Sequence, residues 1–330
     1  MNSISSFKDD LFKVNDHNFE AKALELFQFQ AKYNKVYNEY IKLLDVDIKA
    51  VLTPKDIPFL PIEFFKSHHI KSCNWVEETV FKSSGTTGSE RSQHFVEDLE
   101  FYYEGSKRVF EETVFPLENT AILAILPNYI EQGDSSLIYM IDRFIKDSQS
   151  VLSGFYKKES LLELNIQNLS EKVDHILIIG VSYALLDLAD SLNSPFDFKN
   201  LFLMETGGMK GRRKEITRSE LHSRLKVQFG VEYIYSEYGM TELLSQAYAL
   251  DNGEFQTPPW MKFFIRDIND PFSLLYEGKT GALNIIDLAN IHSCAFLETK
   301  DLARMNKDGH FEILGRIDNS DIRGCNLLMQ

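Results

Sequence analysis

Residues 83–88, with the sequence Ser-Ser-Gly-Thr-Thr-Gly, place four hydroxyl groups and two glycines in six positions. Glycine allows backbone angles that turn several N–H groups toward one anion, and serine and threonine hydroxyls add small donors. This composition predicts a phosphate-binding loop, although a plain polar surface turn would look similar. It is not a Walker P-loop, because no Gly-Lys-Ser/Thr follows. The candidate ligands are Ser83, Ser84, Gly85, Thr86, Thr87 and Gly88.

Two later segments have groups suited to the base and phosphates of a nucleotide. A glycine pair at 207–208 follows an apolar run and could let the backbone approach a flat ring. In Tyr-Gly-Met-Thr-Glu, residues 238–242, the tyrosine could stack on a base and the threonine could bond a phosphate. The glutamate could hold Mg²⁺ through oxygen. The candidates in these segments are Gly207, Gly208, Tyr238, Gly239, Thr241 and Glu242.

The C-terminal part of the sequence adds further reactive groups. Asp301 could accept both hydroxyls of a ribose, and Arg316, in Gly-Arg-Ile-Asp, could neutralise a phosphate. Cys325 could be a nucleophile that forms a thioester, or simply a small apolar residue. His94, shortly after the hydroxyl-rich loop, could act as a base or ligand, although a lone histidine more often has a structural role.

These groups need elements that position them, and the middle of the chain predicts a parallel sheet. Apolar, strand-like runs alternate there with helical segments. Such alternation is typical of an α/β fold, in which ligands bind at the carboxyl ends of the strands. We therefore expect residues 83–88, 207–208 and 238–242 at those ends. The predicted strands are 121–126, 175–180, 200–204 and 231–235, and the predicted helices are 135–148, 183–192 and 218–229.

The flanking regions have different patterns. Residues 17–45 predict one helix with an apolar stripe, which prolines at 54, 58 and 61 follow, and residues 96–113 predict another helix. Beyond residue 252, short strands joined by Asp, Asn and Gly turns indicate an antiparallel subdomain. We therefore predict an α/β core with an N-terminal helical segment over 1–250, a β-rich subdomain over 251–318, and a hinge and tail over 319–330.

In this order and at these separations, the candidate segments resemble the adenylate-forming superfamily of acyl-CoA synthetases, luciferases and peptide-synthetase adenylation domains. The resemblance implies a phosphate loop, a glycine-rich adenine contact, a Tyr-Gly-x-Thr-Glu segment, a ribose-binding aspartate and a Gly-Arg-x-Asp hinge. It also implies ATP and Mg²⁺ as cofactors. The implied fold has mostly parallel sheets flanked by helices, a small antiparallel subdomain, and a C-terminal domain truncated to a short tail.

Further segments, at 21–30, 60–66, 126–129 and 323–327, resemble the acyl-protein synthetase (LuxE-type) branch, whose founding members work in the fatty-acid reductase of luminous bacteria. This resemblance implies a ligase that activates a fatty acid with ATP and passes the acyl group to Cys325. An acyl reductase or acyl carrier would then be the partner. Transfer to coenzyme A or a carrier protein is the alternative. A silent binding scaffold is a second alternative, because no lysine follows residue 318 and Arg91 stands where many relatives have lysine.

Composition restricts the remaining possibilities. The net charge of −14 argues against a nucleic-acid or anionic-membrane surface. The longest apolar runs are too short to span a bilayer, and the N-terminus lacks the apolar core of a signal peptide. Three widely spaced cysteines suggest neither a disulfide framework nor a zinc site. We expect a cytoplasmic protein.

Overall fold

The computed structural model describes residues 2–84, 90–127, 133–162, 164, 166, 170–196, 199–209, 212–251, 253–307 and 309–317. By their contacts, these residues fall into two compact units. One lies within Met1–Tyr102, Thr241–Ser245 and Thr257–Gln330, and we call it the antiparallel unit. The other lies within Tyr103–Met240 and Gln246–Gln256, and we call it the α/β unit. This grouping by contacts divides the chain elsewhere than at residue 250. The predicted domain boundary there stays a prediction.

Helices and strands are numbered along the described part of the chain. The helices are α1 (Asn2–Asp10), α2 (Phe19–Tyr33), α3 (Lys35–Leu43), α4 (Phe64–Ser67), α5 (Leu99–Thr113), α6 (Ser136–Asp147), α7 (Lys158–Leu162), α8 (Ser182–Ala189) and α9 (Arg218–Phe229). The strands are β1 (Leu60–Pro61), β2 (Thr79–Lys82), β3 (Gln93–Val96), β4 (Thr120–Ile125), β5 (Gly154–Phe155), β6 (His175–Val181), β7 (Leu201–Thr206), β8 (Ile234–Tyr238), β9 (Ala247–Leu250), β10 (Glu254–Phe255), β11 (Met261–Arg266), β12 (Thr280–Asp287), β13 (Phe296–Met305) and β14 (Phe311–Arg316). None of the described helices has both the length and the apolar character needed to cross a bilayer.

The α/β unit is built on one sheet with the strand order β5-β4-β6-β7-β8-β9. The first five strands in this order are parallel to one another, and β9 runs antiparallel to β8. Strand β4 is buried along its whole length and β6 is buried after its first residue, as expected for strands covered on both faces. The predicted parallel α/β sheet is therefore confirmed, and the glycines at 207–208 and 239 follow the carboxyl ends of β7 and β8.

The hydroxyl-rich loop does not follow a strand of that sheet, so this expectation was wrong. It follows β2, which pairs antiparallel with β3 in a two-stranded hairpin of the antiparallel unit, from Thr79 opposite Val96 to Lys82 opposite Gln93. Val96, the predicted start of a helix, is thus the last residue of a strand. Helix α5 begins at Leu99, and the Asp98 carboxylate accepts the Phe101 N–H at 2.8 Å, as helix-capping side chains do.

The antiparallel unit contains a second sheet, with β14, β13, β12 and β11 as antiparallel neighbours and β1 parallel to β13. The predicted helix over 17–45 is two helices, because the chain is extended at Asn34 (φ −92°, ψ 110°). The Asn34 side chain caps α3 by accepting the Tyr37 N–H at 3.1 Å. The rings of Phe27, Tyr37 and Phe296 pack together at 5.9–6.2 Å, which joins both helices to β13.

Candidate functional site

The neck of the hydroxyl-rich loop is closed by hydrogen bonds between its two ends. The Ser83 N–H donates to the Ser92 carbonyl at 3.1 Å, and the Ser92 N–H donates to Ser83 Oγ at 3.0 Å. Arg91 donates from Nε to the Ser83 carbonyl at 2.5 Å and from Nη2 to the Lys82 carbonyl at 3.2 Å. Arg91 thus contacts the loop's own backbone. Ser84 is exposed at the entrance, and the structure does not describe Gly85, Thr86, Thr87 and Gly88.

Asp301 and Arg316, predicted as ribose and phosphate ligands, face each other across β13 and β14. Arg316 Nε lies 3.5 Å from Asp301 Oδ1, and the Arg316 side chain is 68% exposed while that of Asp301 is 13% exposed. The register shifts next to this pair, where Gly315 has a φ of 140°, which favours glycine. The bulge therefore sets which residue lies opposite Asp301 and leaves a cationic group open to an anionic ligand.

Glu242, the predicted metal ligand, is a buried carboxylate that interacts electrostatically with this pair. Burial raises its pKa, and a hydrogen bond from the Ser92 hydroxyl lowers it again. The charge of Arg316 also lowers the Glu242 pKa, whereas that of Asp301 raises it. Ser92 was missed from the sequence, where one serine carries no signal. It connects Glu242 to the neck of the hydroxyl-rich loop.

Mg²⁺ is compatible with this arrangement. Such an ion is commonly held by one or two carboxylates, waters and substrate phosphates, rather than by a cage of protein ligands. The part of the chain that the structure describes has no group of three or more His, Cys, Asp or Glu side chains that could hold a metal alone. A bound cation would offset the cost of burying an ionised Glu242. Glu242 is therefore suited to bind a Mg²⁺ ion whose other ligands include substrate phosphates.

His94 is packed in the interior and has a partner at each ring nitrogen. It is 1% exposed; Nδ1 lies 2.7 Å from the Thr241 carbonyl oxygen and Nε2 lies 3.0 Å from Ser293 Oγ. Burial lowers its pKa to about 4, although the bond to Thr241 opposes the shift. The imidazole is therefore neutral near pH 7. The prediction that His94 is catalytic stays a prediction.

The α/β unit contributes the remaining candidates at the ends of two adjacent strands. Gly207, with a φ of 66°, and Gly208 are exposed in the turn after β7. Tyr238 ends β8 half-buried, with its ring 5.9 Å from that of Phe255. Exposed backbone and a half-buried ring are suited to contact with a flat base, and the role of these residues in binding one stays a prediction. Gly239 follows Tyr238, and the side-chain oxygen of Glu237 occupies the space where a Cβ would be.

Beneath these turns lie two buried carboxylates that the sequence did not reveal. Burial raises the pKa of Glu237 to about 7; a hydrogen bond from Thr206 opposes the shift and the charge of Glu205 adds to it. For Glu205, burial raises the pKa, but hydrogen bonding with His222 and the charge of Arg218 leave it lowered overall. The register places Thr206 opposite Glu237 and Glu205 opposite Ser236. The charge of Glu205 still acts on Glu237, and the two carboxyl groups have opposite pKa shifts.

Ser182, at the centre of a Gly-Val-Ser-Tyr-Ala turn, is not arranged like a hydrolase nucleophile. Its hydroxyl lies 3.1 Å from Glu205 Oε2 and 3.2 Å from the Gly207 carbonyl oxygen, so its partners are a carboxylate with a lowered pKa, which is a weak base, and a carbonyl, rather than the histidine of a hydrolase triad. The serine instead supports the glycine turn after β7.

The cysteines differ in accessibility. Cys325 lies outside the described residues, as does Asp318, so its predicted role as the acyl acceptor stays a prediction. Cys294 is fully buried, and burial raises its pKa to about 12, which makes it a poor nucleophile. Cys73 is exposed. Among the described cysteines, only Cys73 is accessible to reagents.

The arrangement of strands and helices is the fold of the adenylate-forming acyl-CoA ligases. The chain is similar to an ATP-bound structure of MatB from Rhodopseudomonas palustris, with 15% identity and a TM-score of 0.52 over 72% of this chain and 47% of that one. It is also similar to 2-hydroxyisobutyryl-CoA ligase in complex with 2-HIB-AMP and CoA, with 13% identity and a TM-score of 0.68 over 92% of this chain and 70% of that one. The chain thus spans about half the length of MatB. No protein-family model matches the sequence, and no curated protein matches it significantly.

Proposed function

We propose that this protein is an ATP-dependent ligase that activates a fatty acid as an acyl-adenylate. The main support is the group formed by Glu242, Asp301 and Arg316 in the antiparallel unit. It combines a buried carboxylate for a metal, a carboxylate for ribose hydroxyls and an exposed cation for phosphate. Ser92 links this group to the neck of the predicted phosphate loop, and the fold is one in which solved ligases hold ATP or an acyl-adenylate.

The first step joins the acid to the nucleotide. A carboxylate oxygen of the fatty acid attacks the α-phosphorus of ATP, and the bond to the β-phosphate breaks to release pyrophosphate. Arg316 stabilises the negative charge on the phosphates, Asp301 orients the ribose, and Thr241 bonds a phosphate. In the α/β unit, the glycines at 207–208 and Tyr238 stay the predicted contacts for a flat base. A Mg²⁺ ion held by Glu242 would neutralise phosphate charge.

The second step moves the acyl group to a thiol. The Cys325 thiolate attacks the acyl carbonyl carbon, and the bond to the AMP oxygen breaks, which leaves a thioester on the protein and releases AMP. An acyl reductase or acyl carrier would then accept the acyl group. Coenzyme A is the alternative acceptor, and this alternative is favoured by the similarity to a ligase whose structure contains CoA.

The test is the intact mass of the protein after incubation with ATP, Mg²⁺ and fatty acids of several lengths. Self-acylation predicts a mass gain of one acyl group that neutral hydroxylamine removes. The gain should vanish in Cys325→Ala and persist in the matched control Cys73→Ala, since Cys73 is the exposed cysteine of the described chain.

Pyrophosphate exchange separates the remaining outcomes. Exchange without an adduct would move the acyl acceptor to coenzyme A or a carrier protein. A lack of both exchange and adduct, across short, long and aromatic acids, would overturn the ligase and leave a binding scaffold.

A further inference from the structure

The Thr241–Glu242 pair is held by buried side chains that come from distant parts of the chain. His94 binds the Thr241 carbonyl at 2.7 Å, and Asn290 Nδ2 donates to the Glu242 carbonyl at 2.8 Å. Both side chains are at most 1% exposed. Two successive peptide groups beside the proposed metal ligand are therefore fixed by side chains that have no access to solvent.

The residues that follow are fixed in the same way. The Asp287 carboxylate is fully buried and accepts the N–H groups of Leu244 and Ser245, both at 3.0 Å, and the Ser245 hydroxyl at 2.7 Å. Trp260 Nε1 donates to the same hydroxyl oxygen at 2.9 Å. These bonds explain why Thr241–Ser245 groups with the antiparallel unit although the residues on either side of it do not.

The hydrogen bonds of His94 define one tautomer. A carbonyl oxygen can only accept, so Nδ1 carries the proton that is donated to Thr241. In a neutral ring Nε2 then accepts, and the Ser293 hydroxyl is the donor at 3.0 Å. With both nitrogens engaged, the ring has no free lone pair for a substrate proton. It has instead a fixed direction toward the backbone of residue 241.

Ser293 is itself held by two side chains from the N-terminal part of the chain. Its carbonyl accepts from Asn34 Nδ2 at 2.9 Å and from Ser72 Oγ at 2.7 Å, and all three residues are at most 2% exposed. One turn earlier on α2, Gln30 donates to the carbonyls of residues 290 and 291 at 2.8 and 3.0 Å. A continuous chain of buried hydrogen bonds therefore runs from the α2–α3 break through Ser293 and His94 to Thr241.

We infer that His94 is a positioning residue: a neutral imidazole that fixes the Thr241 carbonyl, and with it the phosphate-binding hydroxyl and the Glu242 metal ligand beside it. The inference rests on the proposed function, because it assigns a role in the adenylation site. It replaces proton transfer by His94 with orientation of the two residues that contact phosphate and Mg²⁺. Ser293 and Asn34 then act through His94 and do not touch the substrate.

Two substitutions separate orientation from proton transfer. Asparagine can place its Nδ2 near the position of the imidazole Nδ1 and donate to the Thr241 carbonyl, whereas leucine fills the space without a donor. We therefore expect His94→Asn to keep pyrophosphate exchange within about 5-fold of wild type and His94→Leu to lose about 100-fold, the scale of a misplaced reacting group. The Mg²⁺ concentration for half-maximal exchange should rise in His94→Leu and not in His94→Asn.

Binding without turnover supplies a second readout. In calorimetric titration with ATP and Mg²⁺, and no acid present, His94→Leu should bind more weakly than wild type and His94→Asn should not. If His94→Leu does not fold, Ser293→Ala serves in its place, because it removes the donor to Nε2 and leaves the imidazole present. We expect Ser293→Ala to bind ATP more weakly than wild type. His175→Leu is the matched control, since that histidine begins β6, at the end of the strand opposite to its carboxyl end.

The outcomes distinguish the inference from the proposed function. Equal loss of exchange in His94→Asn and His94→Leu, with unchanged ATP binding in both, would overturn positioning and favour proton transfer. If wild-type protein shows no pyrophosphate exchange with any acid tested, the ligase is refuted. The binding titrations alone would then decide the role of His94. Wild-type protein that binds no ATP would overturn both.

Discussion

The protonation of Glu237 makes the stability of the α/β unit depend on pH. Glu237 is 8% exposed; burial raises its pKa from 4.5 to about 7. A carboxyl group with a raised pKa takes up a proton on folding between its unfolded and folded pKa values. The contribution of Glu237 to the free energy of unfolding therefore falls as the pH rises from about 4.5 to about 7, and this loss is complete at higher pH.

The substitution Glu237→Gln removes this dependence, because an amide oxygen can still accept from Thr206 and carries no charge beside Glu205. A shift from 4.5 to about 7 costs the wild type ~1 kcal/mol at pH 5 and ~3 kcal/mol at pH 8. The free energy of unfolding of the variant should exceed that of wild type at both pH values. We expect this excess to be larger at pH 8 than at pH 5 by about 2 kcal/mol.

The assay is chemical unfolding followed by far-UV circular dichroism at both pH values. Circular dichroism follows the helices and strands of both units, whereas Trp75 and Trp260 both belong to the antiparallel unit. The exposed Glu118 provides the control variant Glu118→Gln, which should behave alike at both pH values. The reasoning is refuted if Glu237→Gln changes stability equally at pH 5 and pH 8, or if carboxyl ¹³C NMR places the Glu237 pKa near 4.5.

Other predictions follow from buried contacts. In Asp287→Asn, an amide N–H₂ group would face N–H donors that the carboxylate now accepts. We expect the antiparallel unit to lose ~2–4 kcal/mol of stability, as measured by unfolding followed by tryptophan fluorescence. A loss below ~1 kcal/mol would contradict the hydrogen-bond pattern. Gly281→Ala would place a Cβ 2.2 Å from the Arg266 carbonyl oxygen, so the melting temperature should drop by several degrees, corresponding to about 2 kcal/mol or more, and an unchanged value would show that the strands can separate there. Iodoacetamide should label Cys73 in the native protein and Cys294 only after unfolding, as peptide mass mapping can check; equal rates in the native state would exclude a buried Cys294.

The parallel sheet of the α/β unit could be predicted because its signals are local. Buried strands give short apolar runs, and the crossover helices between them have their own periodicity, so strands such as β4 and β6 were placed within a residue at each end. Strand β8 was placed three residues too early. Asp301 and Arg316 are paired in a geometry that depends on a bulge, which the sequence pattern does not reveal, and their roles as ribose and phosphate ligands stay predictions.

The sequence by itself determined the alternation of strands and helices and the glycine turns that end two strands, because both depend on neighbouring residues. Only the tertiary structure decided that β2 pairs with β3, that Asn34 divides the N-terminal helix, and that His94 binds Thr241. The partners in that last bond are 147 residues apart. A buried polar side chain must find a hydrogen-bond partner, but its residue type does not specify which of many distant groups the folded chain brings to it.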